Sequence, residues 1–530
     1  MKLTRAFVPL VVALGVNTMA FAHDADSKAG QVGTVSFPTS CDPTVQPAFD
    51  RAVAMLHSFW FSAGEQAFRD VLKADPQCAI ANWGIASILM VNPLAGQGAS
   101  AKGAEQAQAA IDEGRRIGAK TQRERDYIEA VAAYYKDFSS RPEKDRQAAR
   151  AQAYEALAAR YPADDEAKIF SALYTSGTQA QSDQTYAAYL KAAAILEEQF
   201  RKHPDHPGVA HYLIHSYDAP PIAAQGVGAA RKYAGLAPAA PHALHMPSHI
   251  FTRVGSWQES VATNRRSMEV AAAGGEGDEA WHAVDYMVYA ELQLARDGEA
   301  RKVMNETKYL PAASPGRFVG PYAMAAVPAR YAIERGAWQE AARLVPTSSS
   351  FPFVEAITHF TRSVGAARSG DLATARVDAA RLDAFHKSLV DAKNTYWATE
   401  VDIQRKAAAA WIKLGEGNND EAVQLMRSAA DLEDRNEKHI VTPGRIVPAR
   451  ELLGEMLLQL NQPEAALKEF EASQVREPNR FRNYLGSAKA AELAGDKAKA
   501  AGYYRKLVEL GKDADSDRPE LATARRLASR

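Results

Sequence analysis

Residues 206–221 read HPGVAHYLIHSYDAPP, and residues 237–264 read APAAPHALHMPSHIFTRVGSWQESVATN. Five of the 13 histidines fall in this region: His211, His215, His242, His245 and His249. The step from His211 to His245 is 34 residues, and so is the step from His215 to His249. A period of about 34 residues belongs to the tetratricopeptide helix–turn–helix unit. One structural position therefore carries histidine in two consecutive repeats, and the position one helical turn later does the same.

The same periodicity extends outward. Apolar residues recur at steps of three and four, and no stretch alternates as a strand would, so the expected fold is all-α. In the first unit, Val45 to Pro76, residues Ala52, Gly64, Phe68 and Asp75-Pro76 occupy the small, aromatic and helix-stop positions of a repeat. Gly370, Gly415 and Gly495 are expected at turns between paired helices. The reading is a tetratricopeptide-type solenoid, a right-handed superhelix of about a dozen helical hairpins. At 530 residues the chain exceeds a single compact core. Repeats avoid that limit because each unit packs only on its neighbours.

Lys2 and Arg5 precede an apolar run from Ala6 to Val16, and Ala20-Phe21-Ala22 is a small-x-small cleavage site. The run is shorter than the roughly 20 residues a membrane span needs. The expectation is a signal peptide over 1–22, cleaved after Ala22, and a periplasmic or secreted protein. A flexible tail over 23–40 would follow. An N-terminal array over 41–310 would carry the histidines, and a C-terminal array would occupy 311–530. The break between them is KYLPAASPGRFVGP, residues 308–321. Cys41 and Cys78 flank the first helix pair, whose antiparallel packing brings its ends together, so a disulfide between them is a candidate. With 63 basic and 64 acidic residues, neither nucleic acid nor an anionic membrane is the expected partner.

With Pro207 and Pro241 as first residues of their repeats, His211 and His245 take position five, and His215 and His249 take position nine. His242, Asp218 and Arg253 fall at two, twelve and thirteen. These positions share one helix face, the one that lines the concave groove. Allowing three residues for a Gly-rich insertion, His282 and Tyr286 take five and nine of the next repeat, beside Asp285. His57 and Arg330 fall on concave positions of other units.

Adjacent helices lie about 8–10 Å apart, so paired histidines on two of them can reach a common centre. Neutral imidazole suits zinc, copper, iron and nickel. The expected ligands are His211, His215, His245 and His249. His242, Asp218, Arg253, His282, Asp285, Tyr286, His57 and Arg330 would line the pocket, with Asp285 placed to orient a ring. Two other readings stand beside metal binding. In one, repeat duplication copied an interior histidine that simply satisfies hydrogen bonds. In the other, the groove holds an anion or a peptide carboxylate on histidine, Arg253 and Arg330. His211-Tyr-Leu-Ile-His215 has Tyr212 where a zinc protease needs glutamate. In functional terms the choice lies between a metal-binding solenoid, an interaction scaffold without metal that holds a protein, peptide or small ligand, and a metal-dependent enzyme.

The chain also resembles a bacterial family of exported tetratricopeptide proteins. That family shares segments like HPGVAHYLIHSYD, APHALHMPSHIFTRVGSW, LHSFWF, HAVDYMVYAELQ, VTPGRIVPARELLGEML and EPNRFRNYLG, all present here. The resemblance spans nearly the whole mature chain and implies the hairpin solenoid. It implies no settled reaction or substrate. Where relatives often carry an aromatic-Pro turn, this chain has Val91-Asn92-Pro93.

Overall fold

The structure is a computed structural model describing residues 30–528. The signal segment, its cleavage site and the first part of the tail lie outside the described residues. Those described form 26 α-helices and three short 3-10 turns, with no strand. Consecutive helices pair as antiparallel hairpins, the tetratricopeptide-type solenoid expected from the sequence. The first pair is Gln46–His57 and Phe61–Ala74. Phe68 is fully buried there and lies where a side chain on Gly84 of the next helix would have to go. None of the described helices is long and apolar enough to cross a membrane.

Turn chemistry follows the expected pattern with one shift. Gly370 and Gly495 adopt φ +86° and +84° between helices. Gly415 instead ends the helix Thr395–Gly415, and Gly417 takes the left-handed turn at φ +82°. Gly415 is glycine for another reason: a Cβ there would sit 2.6 Å from Leu372.

The part of the tail that is described is not free. Residues 30–40 lie across the first hairpins, with Val32, Val35 and Phe37 buried. The Phe37 ring packs 5.4 Å from Phe49, 5.2 Å from Trp83 and 4.9 Å from Tyr127, centroid to centroid. Cys41 and Cys78 are joined by a disulfide that closes a 37-residue separation. A loop of that length contributes about 4 kcal/mol through the entropy of the unfolded chain. The Cys41→Ser/Cys78→Ser variant should therefore unfold at lower urea, by about 3–4 kcal/mol. A midpoint equal to that of the parent would refute this.

The 310/311 position falls inside continuous packing. Met268, Val288, Val327 and Tyr331 belong to one apolar cluster that spans it. The C-terminal hairpins also return to earlier ones. Trp257 Nε1 donates to Asn479 O at 2.7 Å, and Phe481 N donates to Gln293 Oε1 at 3.2 Å. Gly255, with φ +71°, ends the helix Pro247–Val254, and a Cβ there would lie 2.6 Å from Asn479. The glycine is required twice, by the turn and by this contact.

The segment between helices Asn419–Asp434 and Ala449–Gln459 is an irregular strap, NEKHIVTPGRIVP, and nearly all of it is buried. Segments far apart in sequence hold it. Glu437 N donates to Gln181 O at 2.9 Å, and Tyr186 OH donates to Glu437 at 2.8 Å. Arg330 donates to Arg445 O at 2.6 Å and to Gly444 O at 2.9 Å. The strap runs through the interior of the curved array, so part of the concave groove is filled by the chain itself.

Candidate metal centre

Each histidine helix is shaped by its own sequence. Pro207 opens Pro207–Ser216, where a missing N–H is harmless, and the His206 ring accepts the hydrogen bond of Val209 N. The second histidine helix is interrupted. Pro247 divides it into Pro241–His245 and Pro247–Val254, because proline has no N–H to continue the ladder. Ser248 Oγ donates to His245 O at 2.7 Å at the break. The backbone stays helical through Met246, at φ −52° and ψ −37°.

All six histidines at the expected positions are buried. They form two trios rather than one tetrad. His211, His215 and His242 have their candidate donor nitrogens within 4.8 Å of one another, and so do His245, His249 and His282. The expected set His211, His215, His245 and His249 is divided between these two groups. His242 and His282, expected only to line the pocket, complete the trios. The reason is geometric. The repeat distance separates the i,i+4 pairs, while position two of one helix and position five of the next lean into the gaps. The trios adjoin, with ring centroids of His215 and His249 5.7 Å apart and those of His242 and His245 6.1 Å apart.

The outer nitrogens are held by fixed acceptors. His211 Nδ1 donates to His57 O at 2.7 Å. His245 Nδ1 donates to Asn264 Oδ1 at 2.7 Å, and Asn264 is oriented by its own Nδ2 bond to Ser260 O. His249 Nδ1 donates to Asp218 Oδ2 at 2.9 Å, and His242 Nδ1 faces Glu279 Oε2 at 3.3 Å. Such outer partners fix the tautomer, leaving the other nitrogen with a lone pair.

The consequence is sharpest in the second trio. His245 Nε2 and His249 Nε2 lie 3.0 Å apart, and both are proton-free once their Nδ1 atoms donate outward. Two facing lone pairs repel unless a proton or a cation lies between them. Burial disfavours the proton: it holds His245 well below the usual histidine range and pulls His249 down to about 4, even against Asp218. Burial likewise lowers His282 to about 3. In the first trio His215 Nε2 lies 3.1 Å from His211 Nε2 and can donate to it, which leaves His215 Nδ1 buried without a partner. His242 Nε2 is also buried without a partner.

The remaining pocket residues divide clearly. Asp218 orients His249 while accepting from Arg253 at 2.7 Å and facing Lys438 at 3.5 Å. Burial alone would raise this carboxyl, but Lys438 and Arg253 outweigh it and keep the group ionised. Tyr286 OH lies 3.5 Å from His249 Nε2. Asp285 does not orient a ring; it pairs with Arg330 at 2.8 Å, and Arg330 anchors the strap instead of reaching the histidines. The His57 carbonyl serves His211, but its ring points away, with Nε2 2.9 Å from Glu166 and Nδ1 2.9 Å from Tyr212 OH. His206 is buried and donates to the other Glu166 oxygen at 2.8 Å. In this His57–Glu166–His206 group every ring nitrogen has a partner, so a metal is not required to satisfy it.

Three participants escaped the sequence reading: Asn264, Glu279 and Lys438. Glu279 lies three residues before His282 on the same helix, a spacing that could have flagged it. Lys438 sits in the strap, and nothing local in the sequence placed that segment against Asp218. A small cavity of about 30 Å3, room for about two water molecules, reaches His242 and His282 past Phe61, Asn92 and Arg317. The Val91-Asn92-Pro93 turn thus borders an opening that touches both trios.

Fold and site together define a hairpin solenoid that encloses a two-part histidine cluster. No family model matches the chain, and no curated protein matches it. Among solved structures it is similar to a chain of the APC/C hetero-tetramer Cut9–Hcn1 crystal structure. That similarity has 11% identity over 90% of this chain and 95% of the other, at a TM-score of 0.29.

Proposed function

We propose that this protein is a metal-binding solenoid whose interior histidine cluster holds a transition metal, and that it acts in the periplasm or outside the cell. The observation that carries the reading is the facing pair His245 Nε2 and His249 Nε2, 3.0 Å apart with both outer nitrogens committed. A soft or borderline cation answers that geometry, since imidazole ligands bind metals at about 2.0–2.1 Å through the neutral nitrogen. The export expectation agrees with the disulfide, a bond that persists in oxidising compartments.

The scaffold reading keeps one supporting observation. The solenoid leaves a large convex surface free, with Val345, Val475 and Tyr309 more than three-quarters exposed. The strap argues against a peptide in the groove beside the histidines, because the protein's own segment is there. Elemental analysis of the mature protein, purified without a histidine tag, separates the two. Metal binding predicts at least one zinc, copper, iron or nickel per chain, retained through gel filtration. Protein without metal, whose melting temperature ignores all four added ions, would leave the scaffold.

A further inference from the structure

The two trios differ from a single histidine site in a way that bears on which metal is held and how many ions. The first trio draws its three imidazoles from two helices and the second from three. His211 and His215 come from Pro207–Ser216, and His242 from Pro241–His245. His245 and His249 lie on either side of the proline break, and His282 comes from Gly277–Gln293. Donor atoms within 4.8 Å need to close by little more than about 1 Å to surround an ion at about 2 Å. No carboxylate belongs to either trio; Asp218 and Glu279 sit behind the rings, on the outer nitrogens.

Charge selects among the candidates. Asp218 is already balanced by Arg253 and Lys438, and Glu279 shares its cavity wall with Arg317, so little negative charge is left over at the rings. Two dications would place four positive charges in a buried pocket with little to offset them, and the desolvation penalty of an ion grows steeply with its charge. Monovalent copper avoids most of that penalty. It also accepts three neutral imidazoles as a complete ligand set, and in its divalent form copper heads the affinity order of the first-row metals for nitrogen ligands. Oxygen-seeking ions such as calcium, magnesium and manganese find no ligands here.

We propose that the cluster is a two-copper centre, one ion on His211, His215 and His242 and the other on His245, His249 and His282, reached by small ligands through the cavity at His242 and His282. It rests on the metal-binding reading and specifies its ion and its number. The cavity admits water or a diatomic molecule but nothing larger without movement, which gives a size limit on any ligand shared by the two ions.

The test loads the untagged, disulfide-intact protein with Cu(I) under anaerobic conditions, removes loose metal on a desalting column, and counts copper per chain. Two per chain is expected. His242→Gln and His282→Gln each remove one ligand at the cavity edge, where the fold has least to lose, and each should halve the count. Thermal melting and circular dichroism confirm that each variant is folded. One copper per wild-type chain overturns the pair while leaving metal binding intact. Two zinc ions held in competition against equimolar Cu(I) overturn the choice of copper. No retained metal of any kind overturns both this inference and the function it rests on.

Discussion

The double variant His245→Ala/His249→Ala is expected to lose the metal of the second trio and the share of the protein's thermal response to added metal that this trio supplies. In wild type, a ligand present at about 1,000 times its dissociation constant adds about 4 kcal/mol of stability. That increment disappears when its site disappears. The metal-free variant has a second expected property. Wild-type metal-free protein carries two opposed lone pairs at His245 and His249, so alanine removes a repulsion along with the packing of two rings. Relative to metal-free wild type, the variant should therefore lose less stability than two buried large-to-small substitutions, each typically 2–5 kcal/mol, would imply. Asp218→Asn keeps the rings but changes the partner of His249, and it also takes the carboxylate from Arg253 and Lys438. Loss of such an outer partner weakens metal affinity by about 10–100-fold. Wild-type metal content and wild-type melting in the double variant would show that these rings are not ligands.

Arg480→Met should be the most damaging single substitution outside the cluster. Arg480 is fully buried and donates to Glu451 at 2.7 Å, to Glu334 at 2.6 Å and to Tyr289 OH at 2.6 Å. These partners come from three helices, Ala449–Gln459, Val319–Glu334 and Gly277–Gln293, so one guanidinium joins the late hairpins to the one carrying His282. Removing one partner of a buried ionic network typically costs about 3–5 kcal/mol, since the charges left behind are unpaired. The loss should depend on pH. Burial already raises Glu451 above the usual carboxylate range despite Arg480, and without the guanidinium its carboxyl rises further. A carboxyl whose folded pKa exceeds its unfolded value, about 4.3, contributes its stability at low pH and loses it as pH rises through the folded pKa. Urea unfolding of the variant should therefore show a larger deficit at pH 8 than at pH 5. A deficit independent of pH, or one below about 1 kcal/mol, would contradict the network.

The sequence reading reached the fold through residues whose constraints are local. Ala52, Gly64, Phe68 and Pro76 describe how one helix meets its partner, and that information repeats along the chain. Gly370 and Gly495 mark turns for the same reason, whereas Gly415 was misplaced because a helix can continue through a glycine that a neighbour needs for space. Histidines at positions five and nine were legible because helical periodicity places them on one face. Their grouping was not. His242 groups with the pair on the preceding histidine helix, and His282 with the pair His245 and His249, which depends on how neighbouring hairpins pack.

What the sequence determined by itself is the hairpin unit, its repetition, the pair of cysteines that close the first unit and the helix face on which the histidines lie. Each follows from contacts between residues in the same or adjacent repeats. Tertiary structure alone decided that six rings divide into two trios, that Asn264, Asp218 and Glu279 fix their tautomers, and that the strap brings Lys438 to Asp218 from 220 residues away. Those contacts join segments with no shared periodicity. They exist because the solenoid closes around its own interior, where buried polar groups must find partners wherever the chain can supply them.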